Sequence, residues 1–309
     1  MKLIFMGTPE FAVASLKKLI ASRHTVAAVV TATDKPAGRG RSLKAPPVKQ
    51  AALEAGCHVL QPQSLKDPNF IKELEGLHAD CFVIVAFRIL PETVFTMPPK
   101  GTFNLHASLL PKYRGAAPIN WALINGESES GVSTFFIEKN VDTGKLLLQK
   151  RVSLDENMTA GELHDILMQK GADLVLETVN LIDEGKAAPK EQRGKVTKAP
   201  KLDKELCRID WSQPAENLHN LIRGLSPYPG AYSVFKGKRI QILYSKPVVN
   251  QNSNLPPGTV VQVDEQSGVQ VQTGQDKILV LKVKPQGKRA MSIGEFVHGN
   301  PVHTGDVFE

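Results

Sequence analysis

The chain has 309 residues, 41% hydrophobic and 22% charged, with a formal net charge of +7 and a pI near 9.2. Its length lies at the upper limit of a single hydrophobic core, which predicts two domains, and its composition is that of a globular protein. Three scattered cysteines without a C-x-x-C exclude a disulfide framework and a thiolate metal site. The eight histidines lack H-E-x-x-H spacing, and no apolar run reaches the length of a signal or a membrane span. A cytoplasmic, metal-free protein is expected, and the basic balance favours a polyanionic partner.

In chain order, 2–7 is an apolar run that reads as a first strand. Thr8 is placed to cap a helix with Pro9 at its first position, running to about residue 22 with Phe11, Leu16, Leu19 and Ile20 inward. Gly7-Thr8-Pro9 is not G-x-G-x-x-G, so the dinucleotide fingerprint is absent. A second strand at 25–33 runs into a long segment, 34–47, rich in Gly, Pro and cations, among them Arg39, Arg41 and Lys44. Strand-to-helix loops usually take about two to six residues, so this one is either a solvated loop or a phosphate-contacting one. Helices are expected at 48–55 and 67–75 and a short strand at 58–61. Residues 80–87 form a near-continuous apolar strand, the mark of a parallel sheet covered on both faces, and Phe87-Arg88-Ile89-Leu90-Pro91 ends it.

The stretch 101–118, GTFNLHASLLPKYRGAAP, carries the densest chemistry. Phe103 and Leu105 alternate with Asn104 and His106, so a strand here has one apolar face and one face with a carboxamide beside an imidazole. Ser108-Leu109-Leu110-Pro111 then breaks the ladder, and Gly115 to Pro118 supplies small residues. Polar groups at the carboxyl end of a strand, followed by a Gly/Pro loop, match where open α/β sheets bind ligands. The plain alternative is a pair of hydrogen-bonded core residues. Against it, a strand at 131–138 delivers a third group, Asp142, in the turn 140–144.

A helix is expected at 118–125 and a strand, possibly antiparallel, at 146–154. Thr159-x-x-Glu162 reads as a capping box opening a helix to about 184. Strands alternating with helices predict an α/β fold with a doubly wound, mostly parallel sheet. From 185 to 204 the chain turns basic, with Lys186, Lys190, Arg193, Lys195, Lys198, Lys201 and Lys204 against Glu191 and Asp203. This reads as a linker, either a soluble tether or one able to lie along phosphates. After a helix at 212–223 ending at Gly224, short strands at 231–244, 258–263, 269–273 and 278–283 predict a small β-barrel. No aromatic cluster for stacking bases is present there.

Asn104-x-His106, the SLLPxYRGAAP run and the Asp142-Thr143-Gly144 turn together resemble the formyltransferases that use 10-formyltetrahydrofolate, over nearly the whole chain. The resemblance implies a Rossmann-like catalytic domain at 1–188, a basic linker at 189–206 and a carboxyl-terminal domain at 207–309 similar to an OB-fold. It implies Asn104, His106 and Asp142 as catalytic residues, with Ser108, Leu109, Leu110 and Pro111 framing the folate. Phe87, Arg88, Ile89 and Leu90 would line the pterin pocket, although the family commonly has Tyr-Gly where Phe87-Arg88 stand, and one residue more. Arg39 would be the central contact to a tRNA acceptor end, with Arg41, Lys44, Lys195, Lys198, Lys238 and Arg239 serving phosphates. The implied substrates are 10-formyltetrahydrofolate and initiator methionyl-tRNA, without a metal, for a monomer in the bacterial cytoplasm.

Moving a formyl group requires attack on its carbon, stabilisation of its oxygen and a proton for the leaving nitrogen. An α-amine titrates near 7.7–8 and is a good nucleophile unaided, so no Ser, Cys or Lys nucleophile is needed. Asn104 and His106 are expected to donate N–H groups to the oxyanion, and Asp142 to orient His106 or relay a proton. Two other readings are transfer to a small amine, which would not need the basic segments, and an RNA-binding module without turnover.

Overall fold

The computed structural model describes residues 1–37, 42–249 and 254–309. The chain divides into two compact units, each assembled from three segments. The first comprises Met1–Gly115, Ser130–Val152 and His164–Lys198; the second Ala116–Glu129, Ser153–Leu163 and Ala199–Glu309.

Through the first two-thirds the elements are β1 (Lys2–Gly7), α1 (Glu10–Ile20), β2 (Thr25–Val30), β3 (Lys35–Ala37), β4 (Ser42–Lys44), α2 (Pro47–Glu54), β5 (Val59–Leu60), α3 (Pro68–Gly76), β6 (Cys81–Val85), α4 (Glu92–Phe95), β7 (Thr102–His106), β8 (Arg114–Gly115), α5 (Pro118–Ile124), β9 (Glu129–Phe136), β10 (Leu146–Ser153) and α6 (Ala160–Asp183). The first unit is built on a seven-stranded sheet in the order β10-β9-β7-β6-β1-β2-β5. Strands β5, β2, β1, β6 and β7 run parallel, and β9 is antiparallel to β7. The apolar runs of β1 and β6 are buried because they lie in the middle of this sheet, where both faces are covered. Ile4, Met6, Val30, Phe70, Leu74 and Phe82 are among the side chains packed on one face. From β1 the chain first builds outward through β2 and β5, then returns to add β6 and β7 on the other side. The order therefore reverses between β1 and β6, the switch point at which such sheets form a crevice beyond their carboxyl ends.

Local departures from the sequence reading have local causes. Pro9, not Thr8, holds the N-cap position of α1 in an extended conformation without a side-chain cap. In the 34–47 segment β3 pairs antiparallel with β4, while Arg39 and Arg41 lie outside the described residues. The capping box of α6 forms as expected: Thr159 N–H donates to Glu162 Oε2 at 2.8 Å, and Glu162 N–H to Thr159 Oγ1 at 3.3 Å.

The remaining elements are β11 (Lys198–Ala199), α7 (Ala215–Leu225), β12 (Ala231–Phe235), β13 (Lys238–Val248), β14 (Val260–Asp264), β15 (Gly268–Gln272), β16 (Lys277–Pro285), β17 (Met291–Ser292) and α8 (Ile293–Gly299). In the second unit the antiparallel order is β12-β13-β16-β15-β14, with β17 on β16. The last residues join its two edges. Val234 and Glu309 exchange backbone bonds at 3.0 and 2.8 Å on the β12 side. On the β14 side, Val260 N–H donates to Asp306 O at 2.8 Å and Phe308 N–H to Gly258 O at 2.9 Å. The tail thus closes the sheet into the expected barrel and covers the edges that would otherwise be open. Trp211, Phe235, Phe296 and Phe308 fill its core.

Helix α7 continues through Gly224, where a stop was expected. A Cβ there would lie 2.6 Å from Ile124 and 3.1 Å from the Asn120 carbonyl oxygen, so this glycine serves close packing against α5. No helix among the described residues is long and apolar enough to cross a membrane.

Candidate active site

Strand β7 brings Asn104 and His106 to one face, next to β6 on one side and β9 on the other. His106 is buried, and its Nε2 lies 2.8 Å from the carbonyl oxygen of Tyr113. A carbonyl only accepts, so Nε2 carries the proton and the neutral ring presents a lone pair at Nδ1. That nitrogen is 3.8 Å from Asp142 Oδ2, an ion-pair separation when the ring is protonated. The same Oδ2 accepts the Gly115 N–H at 2.9 Å. This geometry corrects one expectation. His106 has an N–H for an oxyanion only as imidazolium, through Nδ1, because its other N–H is committed to the backbone. Asn104 is half-buried, and among the described residues no protein group is hydrogen-bonded to its carboxamide.

The carboxylate sits in the turn between β9 and β10. Asp142 has φ of 56°, a left-handed conformation that Asp tolerates better than most residues. Gly144 is required by close approach, since a Cβ there would lie 1.8 Å from the Phe136 carbonyl oxygen. The turn is held from outside by Gln192. Its Nε2 donates to the carbonyls of Asp142 and Gly144 at 2.9 and 2.8 Å. Its Oε1 accepts from Arg114 Nε and Nη2 at 3.2 and 2.6 Å. Nearby, Thr197 Oγ1 accepts the Tyr113 N–H at 2.8 Å, and Leu146 and Lys190 exchange backbone bonds. Residues 190–198, read from sequence as part of a linker, are therefore hydrogen-bonded onto this end of the sheet.

The loop after β7 is pinned from beneath. Ser108 is fully buried and donates to the Lys112 carbonyl at 2.6 Å, so its hydroxyl shapes the loop and does not face outward. Ser133 Oγ donates to the Ser108 carbonyl at 2.6 Å and accepts from Leu110 N–H and Gln149 Nε2. Leu110 and Pro111 are buried, and Leu109 is half-buried. After β6, Ala86 is left-handed at φ 47° and Phe87 to Pro91 is irregular backbone outside any ladder. Phe87 packs against the core and Leu90 is buried within it, whereas Ile89 is 78% exposed. Arg88 donates to the Pro62 and Gln63 carbonyls, lies 5.3 Å over the Phe87 ring, and has its pKa lowered by burial.

Of the proposed phosphate contacts, Lys44, Lys195 and Lys198 are exposed in the first unit. Lys238 and Arg239 are exposed in the second, with Arg239 stacked 3.6 Å over Tyr232. Among the described residues no group of three His, Cys, Asp or Glu is arranged to hold a metal ion. Ser133, Gln149, Gln192 and Thr197 went unnoticed in the sequence, where Tyr113 was read only as part of the SLLPxYRGAAP run. They act through backbone groups distant in sequence, and no spacing announces them.

An imidazole fixed through one nitrogen, a carboxylate facing the other and an unengaged carboxamide alongside can stabilise a developing oxyanion and move a proton. Nothing in the set must itself attack, which is the logic of an acyl-type group transferase working on an amine that needs no activation.

Comparison with known proteins makes the class specific. The chain belongs to the formyl transferase family: that family's model matches residues 1–179, and the model of the formyl transferase C-terminal domain matches 201–301. It is 44% identical to the methionyl-tRNA formyltransferase of Caldanaerobacter subterraneus subsp. tengcongensis, covering 100% of both chains. It is 45% identical to that of Desulforamulus reducens, covering 99% of this chain and 97% of the other. Among solved structures its fold is similar to that of a sugar 3N-formyltransferase determined with dTDP and 5-N-formyl-THF. The TM-score is 0.68 at 19% identity, covering 94% of this chain and 99% of that one.

Proposed function

We propose that the chain transfers the formyl group of 10-formyltetrahydrofolate to the amino group of initiator methionyl-tRNA. The observation that carries the chemistry is the Asp142–His106–Tyr113 arrangement, with Nε2–H committed and Nδ1 facing the carboxylate. The full-length likeness to two methionyl-tRNA formyltransferases supports the acceptor. The folate is supported by the family and by the irregular 87–90 backbone beside β7. Its peptide groups suit the donor and acceptor edge of a pterin, and the exposed Ile89 gives an apolar surface.

In this reading Asn104 donates from its carboxamide to the formyl oxygen as charge develops there. One such preorganised donor is worth about 2.7–4 kcal/mol in the transition state. His106, when protonated at Nδ1, donates to the same oxygen, and Asp142 balances the charge of the imidazolium. The proton shed by the attacking amine passes through this pair to the departing folate nitrogen, so the exchange is balanced without an external acid. Ser133 and Gln149 hold the Ser108–Pro111 loop at the folate.

The catalytic part is assigned to 1–188 and the RNA-binding part to 207–309, with 189–206 between them. In this reading the activity belongs to the bacterial cytoplasm, and the chain acts as a monomer. Arg39, Arg41, Lys44, Lys195, Lys198, Lys238 and Arg239 contact phosphates.

The test is formyl transfer to charged initiator tRNA at rising salt. Neutralising several phosphates makes affinity fall steeply, by about a thousandfold or more between 50 and 200 mM for six or more contacts. Arg39→Ala is expected to weaken use of tRNA and leave folate affinity unchanged. Affinity barely sensitive to salt would favour a small amine as acceptor.

A further inference from the structure

Gln192 ties together two turns that formyl transfer needs at a fixed separation, and we infer that it is a positioning residue for Asp142; this rests on the role given to Asp142 above. Its carboxamide is fully engaged. The amide nitrogen donates to the two carbonyls that flank Thr143, those of Asp142 and Gly144, and the amide oxygen accepts both contacts from Arg114. Arg114 lies between Tyr113, whose carbonyl holds His106, and Gly115, whose N–H holds the Asp142 carboxylate. The path closes on itself: Asp142 carboxylate, Gly115 backbone, Arg114 side chain, Gln192, Asp142 carbonyl.

The left-handed backbone of Asp142 points the same way, because such a conformation at a non-glycine residue persists when its surroundings over-determine it. The flanking residues of the same segment secure the opposite turn, through Tyr113 N–H to Thr197 Oγ1 at 2.8 Å and Arg114 N–H to Thr197 O at 3.0 Å. Residues 190–198 thus strap down both the carboxylate-bearing turn and the carbonyl that fixes the imidazole. Only a carboxamide serves at this position. A glutamate would set negative oxygen against two carbonyls, and a lysine would offer Arg114 no acceptor.

The test compares Gln192→Ala and Gln192→Glu, each alone and combined with Asp142→Asn, by formyl transfer to charged tRNA with separate kcat and KM and an unfolding midpoint. Both Gln192 variants should lose about tenfold or more in kcat, with KM for folate and tRNA within about twofold. In the Asp142→Asn background, adding Gln192→Ala should cost less than about a further twofold, because the two residues act as one. Additive losses, full turnover in Gln192→Glu, or a loss confined to either KM would overturn the assignment. Gln192→Glu keeps the side-chain bulk and the Arg114 contact, so it carries the test if Gln192→Ala does not fold. Collapse of both variants would replace positioning with a purely structural role. Asp142→Asn alone separates the two claims: undiminished turnover removes Asp142 from the mechanism, whereas additivity beneath an impaired Asp142→Asn removes only Gln192.

Discussion

His106 donates its Nε2–H to the carbonyl of Tyr113 at 2.8 Å, and this one bond decides which nitrogen is left facing Asp142. Tyr113 is itself left-handed at φ 60°, which turns its carbonyl back under the imidazole. The ring is thereby presented to Asp142 through Nδ1. His106→Ala and Asp142→Ala should each lower turnover at least about a hundredfold with little change in unfolding midpoint. Asp142→Asn separates charge from position, since the amide oxygen can still accept the Gly115 N–H. Wild-type rates in single-turnover assays of either alanine variant would take that residue out of the reaction.

Gly144→Ala tests the turn without touching a reacting group. The added carbon would lie 1.8 Å from the Phe136 carbonyl oxygen, so the backbone two residues from Asp142 must move. Displacing a catalytic group by about 1 Å can cost about a hundredfold in rate, and a loss of that order in kcat is expected. Unimpaired catalysis would mean that the Asp142 turn tolerates displacement.

Stability of the second unit should depend on pH through His219. Burial pulls its pKa below the ordinary 6.5, an effect opposed by its bond to the Glu156 carbonyl and reinforced by Arg223. Nε2 lies 2.9 Å from that carbonyl and therefore donates, leaving Nδ1 to accept from Ser245 at 3.2 Å. The fold thus holds the neutral ring. Its contribution is whole above the unfolded value of about 6.5 and is lost as pH falls through the lower folded value. Denaturant midpoints measured from about pH 8 to 5 should decline, and His219→Gln should flatten the decline. An unchanged slope in that variant would assign the dependence to other groups.

Phe308 is 1% exposed, stacks on Phe235 with centroids 4.6 Å apart and lies 5.7 Å from Trp211. Phe308→Ala leaves a cavity in the barrel core and removes a support of the closing tail, at a cost of about 3–5 kcal/mol. Urea unfolding followed by tryptophan fluorescence measures it. A loss below about 1 kcal/mol would mean the core collapses around the gap.

Much of this was legible in the residues because periodicity reports burial. The apolar runs of β1 and β6 announced central parallel strands, and the alternation in β7 put Asn104 and His106 on one face. Asp142 was legible because a turn following a strand must lie at the sheet's end. What stayed hidden depends on partners distant along the chain. Gln192 lies 50 residues from the Asp142 carbonyl it binds and sits among lysines that disguise it as tether. The tautomer of His106 depends on the φ of Tyr113, which no pattern encodes. Helix α8 carried a legible signal, Ser292-x-x-Glu295, which forms a capping box but precedes a segment too short to show periodicity. The closing tail pairs with two different edges over four residues, too few to read as a strand.

The interleaving of the two units has a consequence for shortened chains. A fragment beginning at residue 207 lacks the pieces at 116–129 and 153–163 that its unit is made from. One stopping at residue 188 possesses Asn104, His106 and Asp142 yet has lost Gln192 and Thr197. During synthesis Asn104, His106 and Asp142 leave the ribosome well ahead of Gln192 and Thr197, which complete the hydrogen bonding around them. That hydrogen-bonded setting is therefore completed late, when the ninth and tenth strands and the long sixth helix are already made.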